Sequence, residues 1–360
     1  MKQSFEEFFN DVKKQYGDEI VEESTRVASA KKDIIKGYFK SPAFWIVLSI
    51  YIVWFLLGIV VSVLTAARNP VSSVSITVSI TTILVSSFSL LVHASIALLI
   101  TGVIYYVIKS NKIKKELSNK YKYIVYSKML GNFYEGLGLL DEKERASFAG
   151  YNWKSIYDNY FKIEAYNRSY IGDVFVAKKD DKIKLQGSEL TLQYHTSDSK
   201  GHSHTRLIFK GLVCELFLDK SINGDVQVNR NQIKSASGFL GSKVVKQKYK
   251  KKIEMDSRDF EEKFEVFASN GVLAMQILTA EIMQDLIDLY GKTHFDFAVV
   301  NDRIYFRINA PELFELNTSI FSNNISNIDN LKGKLKENYE IVNNAFDIIN
   351  KIEKLVNERF

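Results

Sequence analysis

Two long stretches without a charged residue lie in the first third of the chain. Residues 43–67 read AFWIVLSIYIVWFLLGIVVSVLTAA, and the second stretch covers residues 71–108. A helix needs about 20 apolar residues to cross the ~30 Å hydrocarbon core of a bilayer. The first stretch would form a helix about 37 Å long. We therefore predict two transmembrane helices, over about 43–65 and about 78–108, rather than two buried helices of a soluble core.

The cations at the ends of these stretches predict an orientation. The connection between the stretches carries only Arg68, whereas lysines precede the first stretch and follow the second. Those lysines are Lys31, Lys32, Lys36, Lys40, Lys109, Lys112, Lys114, Lys115, Lys120 and Lys122. Because Lys and Arg accumulate on the cytoplasmic side of membrane helices, we expect both termini in the cytoplasm and a short extracytoplasmic turn. We expect no cleavable signal peptide, because about forty mostly polar residues precede the first stretch.

The composition of the whole chain conceals this distribution. The 360 residues are 25% charged and 46% hydrophobic, with a net charge of +6 and a mean hydropathy of -0.09, which is typical of a soluble protein. A content of 13% aromatic residues excludes a disordered chain. One cysteine, Cys214, excludes a disulfide-stapled scaffold and any four-cysteine metal site. The averages therefore combine an apolar hairpin with a lysine-rich remainder.

The segments on either side of the apolar stretches are predicted to be helical. Residues 1–40 show apolar residues at helical spacing and form an amphipathic helix. This helix either packs on the cytosolic domain or lies on the membrane surface. Residues 111–165 form a helical connector, which the glycines of GNFYEGLGLL interrupt.

The pattern of residues 166–318 changes to the period of two that is typical of strands. We predict a hairpin around Lys179, Asp180 and Asp181, a strand over 207–218, and a second hairpin around Asn301-Asp302.

Two local signals predict a helix and a turn in the later part of residues 166–318. Thr279 is the predicted N-cap of a helix that ends at Gly291. Asn270-Gly271 is predicted to be a type I′ turn that returns the chain into a strand, VLAMQIL. The resulting order of strand, strand, helix, strand, strand indicates an α+β domain with a mainly antiparallel sheet.

Residues 325–360 are predicted to form one long helix. Apolar residues recur every seven positions, with Asn338 among their companion positions; the repeating residues are Ile328, Leu335, Val342, Ile349 and Val356. This pattern is compatible with a helix docked inside the chain or with self-association through a coiled coil. The predicted fold class is thus α+β, with an N-terminal amphipathic helix, a transmembrane helical hairpin, a cytosolic sheet with helices, and a long C-terminal helix.

The histidines supply two groups of candidate site residues. His195, His202 and His204 could ligate a metal, but their spacing matches no structural zinc pattern and their polar surroundings favour a solvated hairpin loop. His93 lies inside the second apolar stretch, where an ionisable residue suggests proton relay or transport. Neither apolar stretch contains an acidic partner for it.

A run of lysines, KVVKQKYKKK, covers residues 243–252. Lys250, Lys251 and Lys252 are candidates for contact with anionic lipid headgroups. A strand edge protected by solvated lysines is the competing interpretation, and we expect no nucleic-acid partner because acidic residues follow directly.

Catalytic signatures are missing from the sequence. It contains no P-loop, dinucleotide-binding, HExxH or GxSxG pattern, and no carboxylates paired in a context that suggests acid–base chemistry. Cys214 lies in an apolar strand and is expected to be inert. We predict no catalytic residue, no metal and no cofactor. The expected function is a non-enzymatic, membrane-anchored scaffold or partner-binding module, and the alternative is a membrane-tethered hydrolase or lipid-modifying enzyme with an unrecognised site.

Several segments resemble a bacterial family known as domain of unknown function 3137. The resemblance is carried by FKGL, DSRDFEEKFEVFAS, MQILTAEIMQDLIDL and RIYFRIN, with YIGDVFVAKKDDKIKLQGSEL similar to an earlier segment of the family. It covers about half of the chain, from about Tyr166 onward, and none of these motifs is catalytic. The resemblance implies two spans near the N-terminus, a cytosolic domain and a location in the bacterial cell membrane, but no activity.

Overall fold

The computed structural model describes residues 3–68, 73–148, 151–161, 164–197, 202–231, 251–309, 313–314 and 332–360. The chain divides into two compact units. The first, here called the α+β unit, comprises residues 1–17, 120–316 and 328–360. The second, the helical unit, comprises residues 18–119 and 317–327.

Three long helices begin the chain. Helix α1 covers Phe5–Phe39, α2 covers Pro42–Arg68, and α3 covers Ser73–Phe133. Gly131 does not end α3, which continues to Phe133. The chain then turns at Gly136, whose φ of +72° is readily adopted only by glycine.

Two of these helices are long and apolar enough to cross a membrane. The apolar segments are Pro42–Val61 in α2 and Val92–Lys112 in α3. Their side chains are largely exposed; Trp54 is 66% exposed and Leu99 is 68% exposed. Length, composition and exposure all agree with the two apolar helices predicted near the N-terminus.

A nine-stranded, entirely antiparallel sheet forms the centre of the α+β unit within the described part of the chain. Its strands run in the spatial order β1-β2-β3-β4-β9-β8-β5-β7-β6. The strands are β1 (Gly138–Leu139), β2 (Arg168–Lys179), β3 (Lys182–Ser197), β4 (Ser203–Phe217), β5 (Asp225–Arg230), β6 (Lys252–Ile253), β7 (Phe264–Ala268), β8 (Phe295–Val300) and β9 (Arg303–Ile308).

Shorter helices and one long helix surround the sheet. They are α4 (Glu142–Ser147), α5 (Trp153–Ile156), a π-helical turn (Tyr157–Phe161), α6 (Arg258–Lys263), α7 (Gly271–Ile277), α8 (Ala280–Tyr290) and α9 (Lys332–Arg359). The predicted α+β class with a mainly antiparallel sheet and a long C-terminal helix is therefore confirmed.

Both predicted hairpins are present. β2 and β3 pair up to Lys179↔Lys182, and the two turn residues Asp180 and Asp181 both have positive φ. β8 and β9 pair up to Val300↔Arg303. Helix α8 has the predicted N-cap, because the Thr279 hydroxyl accepts a hydrogen bond from the Ile282 N–H.

The prediction for Asn270-Gly271 is wrong. Asn270 is the N-cap of α7, with its side-chain oxygen accepting from the Val272 N–H at 3.0 Å. The segment VLAMQIL is therefore helical and adds no strand, and two helices separate β7 from β8. Asn-Gly favours a hairpin, but the same Asn side chain can cap a helix, and here packing of Leu273, Ala274 and Ile277 in the core accompanies the helical choice.

Alternate residues of the strands point to opposite faces of the sheet. Both faces are covered by other elements, so buried residues lie on each side. On one face, α5 and the π-helical turn cover a cluster that includes Trp153, Tyr157 and Phe209. On the other, the end of α3 and α9 contribute ring contacts such as Phe306 with Phe346, whose centroids lie 5.5 Å apart.

Helix α9 docks inside the chain with the face that carries the heptad pattern. The described heptad residues Leu335, Val342, Ile349 and Val356 are all buried. Tyr339 stacks on Phe8 of α1 at 5.4 Å, and its hydroxyl donates to the Gln3 carbonyl at 2.5 Å. Phe5, Phe8, Phe9 and Val12 of α1 are buried in the same unit. The first part of α1 thus packs on the α+β unit, which is one of the two alternatives that its sequence pattern leaves open.

Candidate functional site

A polar cleft opens at one end of the sheet in the α+β unit. Its volume is about 530 Å³. The last turn of α3, the β2–β3 hairpin, the segment after β4 and helix α9 contribute its walls. We call it the polar cleft; its principal polar residues are Tyr134, Lys178, Lys179, Lys184, Asp219 and Glu353.

Local turns and one helix face bring these groups together. The tight β2–β3 turn places Lys178 and Lys179 at the tip of the hairpin. Asn350 and Glu353 stand three residues apart on α9 and so share a face. The Asn350 amide donates to the Phe133 carbonyl at 3.1 Å, which satisfies a carbonyl at the end of α3.

Lys184 is the centre of the charge network in the cleft. Its ammonium lies 2.7 Å from Asp219 Oδ1 and 3.4 Å from Glu353 Oε1. The Tyr134 hydroxyl donates to Glu353 Oε1 at 3.2 Å. Burial raises the pKa of the Glu353 carboxyl although Lys184 opposes the shift, whereas the hydrogen bond from Lys184 lowers the pKa of Asp219.

These groups suit binding better than nucleophilic attack. Burial, together with Glu353, raises the pKa of Tyr134, so its hydroxyl stays protonated. The Lys184 ammonium is ion-paired with the carboxylates of Asp219 and Glu353. Lys178 and Lys179 add cations at the mouth of the cleft. The arrangement can therefore offer hydrogen bonds and charge to a polar ligand, but it places no activated nucleophile beside a base among the described lining residues.

A second polar group lies where α3 meets β2 and β3. A bulge in β2 leaves Gly172 and Asp173 outside the regular pairing, opposite Glu189. A Cβ at Gly172 would lie 2.9 Å from Glu189 Cβ, so glycine permits this close approach. Lys122 of α3 forms a salt bridge with Asp173. The Phe314 N–H donates to Glu189 Oε1 at 3.3 Å.

This acidic triad, Lys122, Asp173 and Glu189, has more negative than positive charge. Burial, and next the charge of Asp173, raise the pKa of Glu189 from 4.5 to about 7, while Lys122 acts in the opposite direction. Sequence reasoning found no such pair because the two carboxyls are 16 positions apart and meet only through the bulge. The triad is a structural contact between α3 and the sheet.

His93 lies on α3, in the apolar segment of the helical unit. Its Nδ1 lies 2.6 Å from the Ser89 carbonyl oxygen of the same helix, so the ring N–H donates within the helix. The His93 carbonyl accepts from the Tyr51 hydroxyl of α2 at 3.3 Å. A role in proton transfer or transport stays a prediction.

The other histidines lie on or beside the β3–β4 hairpin. His195 pairs with Thr205 across the strands, and its Nδ1 lies 2.9 Å from the Thr205 hydroxyl. His204 pairs with Thr196, and His202 precedes β4; His202 and His204 are exposed, and His195 is half-buried. Asp198 lies outside the described residues. The described part of the chain contains no group of three His, Cys, Asp or Glu residues placed to hold a metal.

Only part of the lysine run can be located. Lys250 lies outside the described residues. The Lys251 carbonyl accepts from the Ala268 N–H at 3.2 Å, and the Lys252 ammonium lies 2.9 Å from Glu265 Oε1. Contact of these lysines with lipid headgroups stays a prediction. Cys214 is fully buried in β4, and burial raises the pKa of its thiol, as expected for an inert cysteine.

Sequence reasoning missed the residues of the polar cleft. Lys178 and Lys179 were part of the predicted hairpin, but Tyr134, Asp219 and Glu353 come from segments far apart in sequence. The three-residue spacing of Asn350 and Glu353 on the polar side of a predicted helix was the only local signal.

The comparison with protein families confirms the family resemblance. Residues 207–354 match the family described as "Protein of unknown function (DUF3137)". The match covers less than half of the chain and extends from β4 to α9. No curated protein and no solved structure matches the chain.

Proposed function

With residues 207–354 matching a family of unknown function, we propose that this chain is a membrane-anchored, non-enzymatic binding module. Its two apolar helices would span a bacterial cell membrane, and its α+β unit would face the cytoplasm. Its partners would be the lipid bilayer and a protein, either another protein or a second copy of the chain.

The observation that carries this proposal is the continuity of α3. The helix runs without a break from the apolar segment Val92–Lys112 to Phe133. Its last turns supply Val125, Tyr126 and Met129 to the core of the α+β unit, where all three are buried. One helix therefore contains both the segment long enough to cross a membrane and residues of the core of the α+β unit. This continuity favours a membrane anchor over a separate tail.

The polar cleft supports binding rather than catalysis. Asp219 and Glu353 are already ion-paired with Lys184, and Glu353 also accepts a hydrogen bond from Tyr134. A ligand would compete for existing hydrogen bonds, as in a recognition site. The heptad face of α9 is buried within the chain, and exposed residues of this helix include charged ones such as Lys336 and Lys354. Self-association through α9 would thus use its polar face.

Cross-linking in native membranes tests the binding role. We expect a reproducible cross-linked partner or dimer after purification in mild detergent. The variant with Lys178→Glu and Lys179→Glu at the cleft mouth should weaken that product, whereas a matched variant with Lys336→Glu and Lys354→Glu on α9 should not. Recovery of monomer alone would reject the binding module, and loss only in the α9 variant would move the contact from the cleft to α9.

The orientation can be tested with a membrane-impermeant thiol reagent. The lysines that flank both apolar stretches support cytoplasmic termini. A cysteine at Asn69→Cys should be labelled in intact cells, and one at Lys354→Cys should be labelled only after lysis. Native Cys214 gives little background because it is fully buried. The opposite labelling pattern would reverse the orientation.

The alternative function, a membrane-tethered hydrolase or lipid-modifying enzyme, is favoured by one observation. The polar cleft gathers carboxylate, ammonium and phenol groups in a cavity of about 530 Å³. If the cleft is an active site, the purified full chain should release products from a phospholipid mixture. That activity should disappear in Glu353→Gln and persist in a variant of the exposed surface, Lys336→Gln. Absence of product from the wild-type chain argues for binding alone.

A further inference from the structure

A groove with apolar walls lies within the helical unit, where α1 ends and α2 begins. Its volume is about 530 Å³. We call it the aromatic groove; its walls include Tyr38, Phe39, Phe44, Leu98, Leu99 and Val103. The groove is open to the outside, since Phe39 and Val103 are each 53% exposed.

Hydrogen bonds fix the shape of this groove. The Tyr38 hydroxyl donates to the Leu98 carbonyl at 2.9 Å and lies 2.6 Å from the Thr101 hydroxyl. A Cβ at Gly102 would lie 3.3 Å from the Tyr38 ring, so glycine lets the ring lie against α3. The Ser41 hydroxyl donates to the Tyr38 carbonyl at 2.6 Å, which closes the corner between α1 and α2.

Two contacts place the groove at one end of the α2–α3 pair. Tyr51 of α2 reaches the His93 carbonyl of α3, and Tyr38, which precedes α2, reaches Leu98. The helices therefore run antiparallel, and the start of α2 lies beside α3 near Leu98. Under the proposed anchoring, the bilayer would cover α3 from this level back toward its beginning at Ser73. Tyrosine and tryptophan are enriched at the membrane–water interface. Aromatic side chains cluster at this level, namely Tyr38, Phe39, Phe44, Trp45 and Tyr105.

Lysines surround the same end of the helices. Lys36 and Lys40 follow the groove residues Ile35 and Phe39 directly in the sequence, and all four are exposed. The Lys109 ammonium lies 6.0 Å from the centroid of the Tyr105 ring, which also lines the groove. Asp33 is the only acidic residue in the sequence segments 33–41 and 98–112, which also contain Lys112. Positive charge therefore exceeds negative charge around the groove.

We propose that the aromatic groove binds one acyl chain of an anionic phospholipid and that the surrounding lysines bind its phosphate. This inference rests on the proposed membrane anchoring. The apolar walls match a hydrocarbon tail, and the lysines match a negative headgroup at the interface. A neutral apolar partner would leave the lysines unused, and a soluble anion would leave the walls exposed. An anionic phospholipid satisfies both parts of the site.

Photo-cross-linking of the full chain tests this proposal. The chain is reconstituted in phosphatidylcholine vesicles that contain phosphatidylglycerol with a diazirine on its acyl chain, or phosphatidylcholine labelled in the same way. Mass spectrometry then compares the label on residues 33–41 with the label on residues 52–57 of α2. A lysine near an anionic headgroup gives about a fivefold preference. We expect the groove segment to show at least that excess with phosphatidylglycerol and no excess with phosphatidylcholine.

Two variants and a matched control separate the parts of the site. Leu99→Trp fills the groove and should abolish the excess label. Ile100→Trp introduces the same side chain at the neighbouring exposed position, which does not line the groove. This control variant should retain the excess label. The variant with Lys36→Gln and Lys40→Gln should lose the excess label with phosphatidylglycerol and so behave with both lipids as the wild type does with phosphatidylcholine.

The outcomes distinguish this inference from the proposed anchoring. If the wild-type chain does not float with the vesicles on a density gradient, both are overturned. If it floats but the label spreads evenly over α1 and α2, or if Leu99→Trp and Ile100→Trp behave alike, the groove proposal alone is overturned. Equal excess with both lipids would reject the role of the lysines and hence an anionic ligand.

Discussion

Asp296 and Glu189 are both carboxylates of the α+β unit, but their surroundings differ in charge balance. Asp296 on β8 is directly opposite Arg307 on β9, and both side chains are almost completely buried. The Arg307 Nε–H donates to Asp296 Oδ2 at 2.5 Å, and the Arg230 N–H donates to Asp296 Oδ1 at 2.7 Å. Glu189 instead shares one lysine, Lys122, with a second carboxylate.

The two environments shift the pKa values in opposite directions. Burial raises the pKa of Asp296, but Arg307 and then His294 outweigh it and hold the pKa well below its usual range. At Glu189, burial and Asp173 outweigh Lys122, and the pKa rises to about 7. Burial alone therefore does not determine the protonation state of a carboxylate; the number of cations beside it also counts. Asp296 therefore stays ionised near neutral pH, whereas Glu189 can change its charge there.

The largest effect is expected where Asp296 meets Arg307 and His294, which we call the balanced cluster. Arg307→Met removes the cation and leaves Asp296 buried without it. Breaking a buried pair in this way costs about 3–5 kcal/mol. We expect a loss of this size in the free energy of unfolding, measured by urea denaturation at pH 7.

A double variant is the control for this prediction. Arg307→Met combined with Asp296→Asn removes the stranded charge as well as its partner, so it should be more stable than Arg307→Met alone. If the double variant is the less stable of the two, charge balance is not what stabilises this cluster.

A smaller effect is expected from the lysine of the acidic triad. Lys122→Met leaves Asp173 and Glu189 without their shared cation, although Glu189 can take up a proton. Because protonation relieves part of the repulsion, we expect a loss of about 1–3 kcal/mol at pH 8 and less at pH 5. Equal losses at both pH values, measured by urea denaturation, would contradict the coupling between Lys122 and Glu189.

The pH dependence of wild-type stability sharpens the same comparison. Glu189 has a higher pKa in the folded chain than its ordinary value of 4.5, so the folded state binds its proton more tightly. The stabilisation of the folded state by this proton is complete below pH 4.5 and is lost as the pH rises through about 7. The free energy of unfolding should therefore fall by about 3 kcal/mol from this group between those values. Asp296 stays ionised over the range and contributes no slope.

Glu189→Gln tests the assignment of that slope. Glutamine keeps an oxygen that can accept from the Phe314 N–H but does not titrate in this range. The variant should lose the difference in stability between pH 5 and pH 8 that the wild type shows through Glu189. An unchanged slope in Glu189→Gln would assign the effect to another group.

The balanced cluster could be inferred from the sequence, and the acidic triad could not. The predicted hairpin at Asn301-Asp302 sets Asp296 opposite Arg307, because a short turn determines the register of both strands. Phe295, Phe297 and Val299 alternate along β8 and are buried in the core.

The triad depends on features without a local pattern. Its carboxylates meet because β2 has a bulge at Gly172-Asp173, and a bulge changes the register by one residue without a distinctive sequence. Lys122 reaches the sheet because α3 continues beyond the apolar stretch, where the sequence predicted a separate connector helix. Asn270 is a second case that local sequence does not determine. Its side chain can serve either a turn or a helix cap, and packing decides between them.

The smallest effect is expected at an exposed ion pair on the same helix as Lys122. Lys128 of α3 lies 3.5 Å from Asp11 Oδ2 of α1, and the Asp11 side chain is 50% exposed. Water screens such a pair, and the cost of holding both side chains in place offsets much of the attraction, so Lys128→Met should cost only about 0.2–1 kcal/mol. Urea denaturation of Lys128→Met beside Lys122→Met at pH 8 makes this comparison within one helix. A loss at Lys128 as large as that at Lys122 would mean that helix contacts, rather than the buried carboxylates, determine the cost of removing a lysine from α3.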